Sequence, residues 1–310
     1  MTKTSDPTKT SGKPRVVFFG SGPVAARSLS LLQNDFDIEA IITKPTTIQE
    51  MQDTIGTSPV FAVANKTELD ILINSHTFSS NLGILIDFGI IVSQSVIDTF
   101  PLGIINSHFS LLPELRGADP IAFAILSGQA TTGVSLMLLV QAMDEGPILS
   151  QRSYDITTEE TTPSLTNNLI NLSHELLTQS VPLYISGAIT PQPQSQDIIP
   201  TYTRKLNKQD GILDFNKSAE QLEREVRAYY DWPKSRTTIA GKDVIVTKAY
   251  AVPSSGPNEK PGDLGVVLEA KSIYITTANG SLWIERLKPA GKKEMTVEAF
   301  LAGHKHLPQK

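Results

Sequence analysis

The chain has 310 residues, enough for two ordinary cores, and 40% of them are hydrophobic. It has no cysteine, which excludes disulfides, thiolate-ligated metal centres and a thiol nucleophile, and fits a reducing compartment. The formal net charge is -5, yet residues 1–200 carry 9 Lys+Arg against 19 Asp+Glu while residues 201–310 carry 18 against 13. The basic second half permits a phosphate-rich partner; it is equally what ordinary variation between two domains produces.

In chain order, Met1 to Pro14 is polar and lacks the apolar core of a secretory signal, so a disordered tail is expected there. No window approaches the run of ~18 apolar residues that a membrane span needs. Arg15–Gly20 is an apolar run ending in glycine, followed by Ser21-Gly22-Pro23 and helical periodicity from Val24 to Leu32. Phe36–Ile42, Asn81–Asp87 and Leu102–Asn106 read as further short buried strands. Buried strands alternating with helical segments predict a doubly wound α/β domain with a parallel sheet. Pro120–Leu126 opens a helix, Gly133–Leu139 reads as a strand, and Ser164–Leu183 as an amphipathic helix.

Gly187–Gln196 is rich in Pro and Gln and reads as a linker. Ser218–Tyr230 is then a helix with Leu222, Val226 and Tyr229 on one side. From Arg236 onward, short β-like runs are separated by turn signals at Ala240-Gly241, Pro261-Gly262 and Asn279-Gly280, as in a small β-barrel or sandwich.

Gly20-Ser-Gly-Pro-Val-Ala has the outline of a dinucleotide fingerprint. Pro23 removes a backbone N–H that a pyrophosphate would use, and Thr43-Lys44 stand where an acidic residue would hold a ribose. These residues predict a tight strand-to-helix turn and argue against a nicotinamide cofactor.

The segment richest in chemistry is Asn106-Ser-His108-Phe-Ser-Leu-Leu-Pro113-Glu-Leu-Arg116-Gly117, which follows a buried strand. Ligands of open parallel sheets bind at the carboxyl ends of strands. Residues two apart on a strand share a face, so Asn106 and His108 can look into one pocket. If the strand ending near Leu139 is a neighbour, Asp144 falls at the same edge. An amide can hold an oxyanion, an imidazole can donate to it or relay a proton, and a carboxylate can orient the imidazole. With no Ser or Cys nucleophile beside them, direct attack by a substrate amine is the chemistry that fits. The same residue types also serve as packed histidines and turn residues, and the pattern alone leaves both readings open.

At these residues the chain resembles the folate-dependent formyltransferases, through Asn106-Ser-His108, Ser110-Leu-Leu-Pro113, Arg116-Gly117, Thr132-Gly-Val134 and Asp144. Within them it is most similar to the methionyl-tRNA formyltransferases. That closer likeness rests on Thr201-Tyr-Thr-Arg-Lys205, Ile212-Leu-Asp-Phe215, Trp232-Pro233 and Leu287-Lys-Pro-Ala-Gly-Lys-Lys293. The resemblance implies a Rossmann-like catalytic domain with a parallel-rich sheet over residues 15–189, a linker at 190–206 and an OB-like β-barrel over 207–310. It further implies 10-formyltetrahydrofolate as donor, the α-amine of initiator methionyl-tRNA as acceptor, Asn106, His108 and Asp144 as catalytic residues, and no metal. Ser110, Leu111, Leu112 and Pro113 match the segment that contacts the folate. A cytoplasmic monomer with no membrane association is the corresponding expectation. An amino-sugar nucleotide as acceptor, or a non-catalytic folate- or RNA-binding homologue, are the alternatives. The family's basic loop after the second strand is not matched, since Thr43–Pro59 carries Lys44 against Glu50 and Asp53. Near the motifs, Asp119, Glu145 and Pro147 also depart from the usual residues.

Overall fold

The computed structural model describes residues 12–253, 260–267 and 271–304. Of the tail expected at residues 1–14, residues 1–11 lie outside the described residues. The chain divides into two compact units, one of residues up to 116 with 133–153 and 168–201, the other of 117–132, 154–167 and those from 202 onward.

In chain order the first half comprises β1 (Arg15–Gly20), α1 (Pro23–Leu32), β2 (Asp37–Thr43), α2 (Ile48–Ile55), β3 (Val60–Ala62), α3 (Lys66–Ser75), β4 (Gly83–Ile86), α4 (Gln94–Ile97) and β5 (Ile104–His108). There follow β6 (Arg116–Gly117), α5 (Pro120–Leu126), β7 (Thr131–Leu138), β8 (Ile148–Asp155) and α6 (Thr162–Ile185). The main sheet has the order β3-β2-β1-β4-β5-β7-β8. It is parallel from β3 to β5, and β7 runs antiparallel to β5. Central strands covered on both faces need apolar residues at every position. Val16 to Phe19 and Ile104-Ile105 accordingly have no exposed surface. On one face Val17, Phe19, Ile42 and Leu85 pack against Leu69 and Ile73 of α3 and Val96 and Ile97 of α4. Each such burial contributes about 1.5–3 kcal/mol.

The glycine segment is a tight turn. A Cβ at Gly20 would stand 2.6–2.8 Å from the Phe18 ring, the Ala25 Cβ and the Ile86 carbonyl oxygen. Gly22 has φ of 83° and leads straight into Pro23, the first residue of α1. Residues 48–55, expected within a loop, form α2 instead; Met51 is fully buried beneath it while Glu50 and Asp53 are exposed. Residues 190–201, expected as part of a linker, lie along the first unit: Ile148 and Gln192 exchange backbone hydrogen bonds, and Arg116 N–H donates to the Thr201 carbonyl.

The second unit continues with β9 (Tyr202–Thr203), α7 (Ala219–Ala228), β10 (Ser235–Ile239), β11 (Lys242–Val252), β12 (Leu264–Val267), β13 (Ser272–Thr276), β14 (Ser281–Pro289), β15 (Met295–Thr296) and α8 (Val297–Ala302). Its sheet has the order β10-β11-β14-β13-β12 with β15 against β14, antiparallel throughout. Alternate residues Val244, Val246, Ile273, Ile275, Leu282 and Ile284 face Leu222 and Val226 of α7. The chain is thus an α/β domain followed by a small antiparallel β domain, as the sequence predicts.

α7 also buries Glu225, which Lys217 contacts through Oε1 while Oε2 has no hydrogen-bond partner among the described residues. Burial pushes the Glu225 carboxyl above its ordinary value of 4.5, against the opposing pull of Lys217. The folded state then binds this proton more tightly than the unfolded chain, so the stabilisation it brings is present at low pH and fades as pH rises through the raised value. Glu225→Gln should therefore gain on the wild type as pH rises from the ordinary carboxylate range to neutral. Denaturant unfolding of both proteins across that range checks this, and a constant difference between them would refute it.

Candidate active site

β5 extends three residues beyond its apolar Ile104-Ile105, through Asn106 and Ser107 to His108. Strand alternation sets Asn106 and His108 on one face and Ser107 on the other, where its hydroxyl meets that of Ser173 at 2.7 Å. Antiparallel pairing matches His108 with Ser135 and Ile105 with Leu138. β7 therefore ends beside the start of β5, and strand order alone would leave Asp144 at the wrong edge. The loop from Leu139 to Pro147 brings it back. Its neck is closed by Leu138 N–H donating to the Pro147 carbonyl at 3.0 Å. A Cβ at Gly146 would lie 1.7 Å from the Leu138 carbonyl oxygen, so only glycine fits there. Asp144 itself is left-handed, with φ of 51°. Such a conformation costs a non-glycine residue about 1–3 kcal/mol and persists where neighbouring contacts hold it.

The three side chains meet. Asn106 Nδ2 donates to Asp144 Oδ1 over a long 3.4 Å, and His108 Nδ1 lies 3.9 Å from Asp144 Oδ2. The His108 and Asp144 side chains are 7% and 12% exposed. His108 Nε2 is 3.0 Å from the Leu115 carbonyl oxygen. A carbonyl can only accept, so Nε2 carries the hydrogen and Nδ1 is left facing the carboxylate.

The segment Ser110-Leu111-Leu112-Pro113 follows directly. Ser110 is fully buried, and its hydroxyl donates to the Glu114 carbonyl at 2.6 Å. Leu112 and Pro113 are buried and Leu111 is half-buried. The segment is held by Ser135, whose hydroxyl donates to the Ser110 carbonyl at 2.6 Å and accepts from Leu112 N–H at 2.9 Å. Gln151 Nε2 reaches both the Ser135 hydroxyl and the Leu112 carbonyl at 2.8 Å. Sequence reasoning passed over both residues. Ser135 did leave a signal, as the one hydroxyl within the apolar run Gly133–Leu139.

Gln194 left none, because its neighbours Pro193, Ser195 and Gln196 are exposed and the stretch reads as a tether. Its amide donates to the Asp144 carbonyl at 2.6 Å and to the Gly146 carbonyl at 3.0 Å. Its oxygen accepts from Arg116 Nη2 at 2.6 Å and Nε at 3.2 Å. Arg116 is buried and also pairs with Glu145 at 3.1 Å. Arg116, Glu145, Pro147, Gln194 and Ile198 border a cleft of about 640 Å³.

Residues 14–181 match the formyl transferase family, and residues 205–305 match the formyl transferase C-terminal domain. The chain belongs to the formyl transferase family. It is therefore a one-carbon group transferase. The methionyl-tRNA formyltransferase of Myxococcus xanthus is 33% identical over 307 residues, covering 96% of this chain and 97% of that protein. That of Roseiflexus castenholzii is 32% identical, covering 93% and 96%. Among solved structures, an N-formyltransferase from Helicobacter canadensis, in complex with folinic acid and dTDP-3-aminofucose, superposes with a TM-score of 0.66 at 18% identity. It covers 87% of this chain and 98% of that one. HypX from Aquifex aeolicus in complex with tetrahydrofolic acid gives 0.62 at 16%, over 96% of this formyl transferase and 49% of that chain. At these identities the two structures speak for the fold. Among the described residues no helix is long and apolar enough to cross a membrane.

Ser135→Ala should orphan the buried Leu112 N–H and Ser110 carbonyl and cost about 1–3 kcal/mol. Urea unfolding measures it, and an unchanged midpoint would show that the hydroxyl is dispensable.

Proposed function

We propose that this formyl transferase moves the formyl group of 10-formyltetrahydrofolate onto the α-amine of initiator methionyl-tRNA. The observation that carries this reading is the span of the likeness. Methionyl-tRNA formyltransferases match 93–96% of the chain, C-terminal domain included, at 32–33% identity. The excess of 18 Lys+Arg over 13 Asp+Glu in residues 201–310 suits a domain that follows tRNA phosphates.

The chemistry assigned to the site is direct amine attack. The neutral amine nitrogen bonds to the formyl carbon, whose carbonyl electrons move onto oxygen. Asn106 has two amide hydrogens; with one on Asp144, the other serves the oxyanion. His108, protonated at Nδ1, is the second donor. Asp144 stabilises the charged imidazole and takes the proton shed by the amine nitrogen. Collapse of the intermediate re-forms the carbonyl and breaks the bond to the folate nitrogen, which leaves with the proton that Asp144 took from the amine, so Asp144 ends as the carboxylate it began as. An α-amine has a pKa of about 7.7–8.0, so a useful fraction is neutral near pH 7. The Ser110–Pro113 segment, held by Ser135 and Gln151, is the proposed wall for the folate.

The acidic α2, bearing Glu50 and Asp53 where a basic loop is expected, favours a second reading. In it the acceptor is an amino-sugar nucleotide and the chemistry is the same. Purified protein should formylate charged initiator tRNA, bind it less tightly as salt rises, and spare elongator methionyl-tRNA. Preference for an amino-sugar nucleotide would replace the first reading with the second. His108→Ala and Asp144→Ala should each lose roughly 10²–10³ in turnover while folate binding survives. Near-wild-type turnover in either variant rejects the residue assignment.

A further inference from the structure

The loop carrying Asp144 is shaped by its neck, but nothing at the neck holds its tip. Asp144 sits two residues short of Gly146 in a left-handed conformation that L side chains rarely adopt. The carbonyls of both residues converge on one donor, the Gln194 amide, at 2.6 and 3.0 Å. A primary amide has two hydrogens and one oxygen with two lone pairs. In Gln194 all four are used, the oxygen being held by the Arg116 guanidinium at 2.6 and 3.2 Å. Arg116 is in turn fixed from its other side by Glu145. The segment bearing Gln194 is otherwise exposed from Gln192 to Gln196, and Gln194 is the half-buried residue within it.

We propose that Gln194 is a positioning residue of the transfer reaction, clamping the backbone on both sides of Glu145 so that the Asp144 carboxylate stays aimed at Asn106 and His108. The inference rests on the catalytic reading of Asp144 given above. It acts through geometry alone, since Gln194 reaches Asp144 by its backbone carbonyl and leaves the carboxylate to the other two side chains. A charged acceptor in place of the amide would still receive Arg116 but would have no hydrogen to give the two carbonyls. Gln194→Glu therefore separates the clamp from the Arg116 tether.

The test compares Gln194→Ala, Gln194→Glu, Gln192→Ala and Asp144→Asn in the full chain, using charged initiator methionyl-tRNA and 10-formyltetrahydrofolate. Turnover is scored per folded molecule, with the unfolding midpoint measured alongside. A displacement of about 1 Å at a reacting group can cost around 10²-fold. Both Gln194 variants should lose roughly 10–100-fold in kcat, with KM for either substrate moving by less than about threefold. Gln192→Ala, whose side chain bonds only to Thr190 among the described residues, should match the wild type. Wild-type kcat in Gln194→Ala overturns the clamp, as does wild-type kcat in Gln194→Glu, which would leave the Arg116 tether as the only role. An equal loss in Gln192→Ala overturns it too, by making the effect a property of the whole segment. If Asp144→Asn keeps full turnover, the catalytic reading fails and the clamp with it; if Asp144→Asn is inactive and Gln194→Ala is not, the clamp alone fails.

Discussion

The direction of β7 is the constraint around which the site is built. A parallel neighbour would deliver its following loop to the carboxyl edge of β5, where Asn106 and His108 stand. β7 is antiparallel and ends beside Ile105, so the chain must double back from Leu139 to bring a carboxylate to those two residues. Doubling back within so few residues demands a closed neck, a glycine where no Cβ fits, and a left-handed aspartate. Each is a local cost, and each is offset by contacts that reach the loop from elsewhere in the same unit.

The contacts that hold the irregular segments around β5, this loop included, are polar. Ser135, Gln151 and Gln194 have little in common as sequence, yet each uses a side chain to satisfy backbone groups that the irregular segments around β5 leave without a regular partner. Buried peptide groups that lose water must find such partners. The apolar strands beneath supply the bulk of the stability, whereas these few amides and hydroxyls fix which conformation of the loops is the folded one.

What could be read in advance follows from this division. The strands β1, β4 and β5 and the helices α1, α5 and α7 are legible because burial on one or both faces imposes a period on the sequence. The turn at Gly20–Pro23 is legible because its residues have restricted dihedrals. Asn106 and His108 are legible as a pair because strand alternation is rigid. Asp144 was named for the right neighbourhood by a route that the sheet does not follow: nothing in Gly133–Leu139 encodes whether that strand runs parallel or antiparallel. α2 was hidden because a short helix with one buried residue, Met51, leaves too little period to detect. Gln194 was hidden because a Pro-rich stretch that packs and one that dangles have the same composition.

The stretch from Gln192 to Thr201 touches the site at both ends. Its Gln194 holds the carbonyls around Asp144, and its Thr201 hydroxyl accepts from Leu115 N–H, on the very residue whose carbonyl fixes the His108 ring. Acid and imidazole thus hang from a common spar. A shift of that spar would disturb both the backbone around Asp144 and the residue whose carbonyl fixes the imidazole.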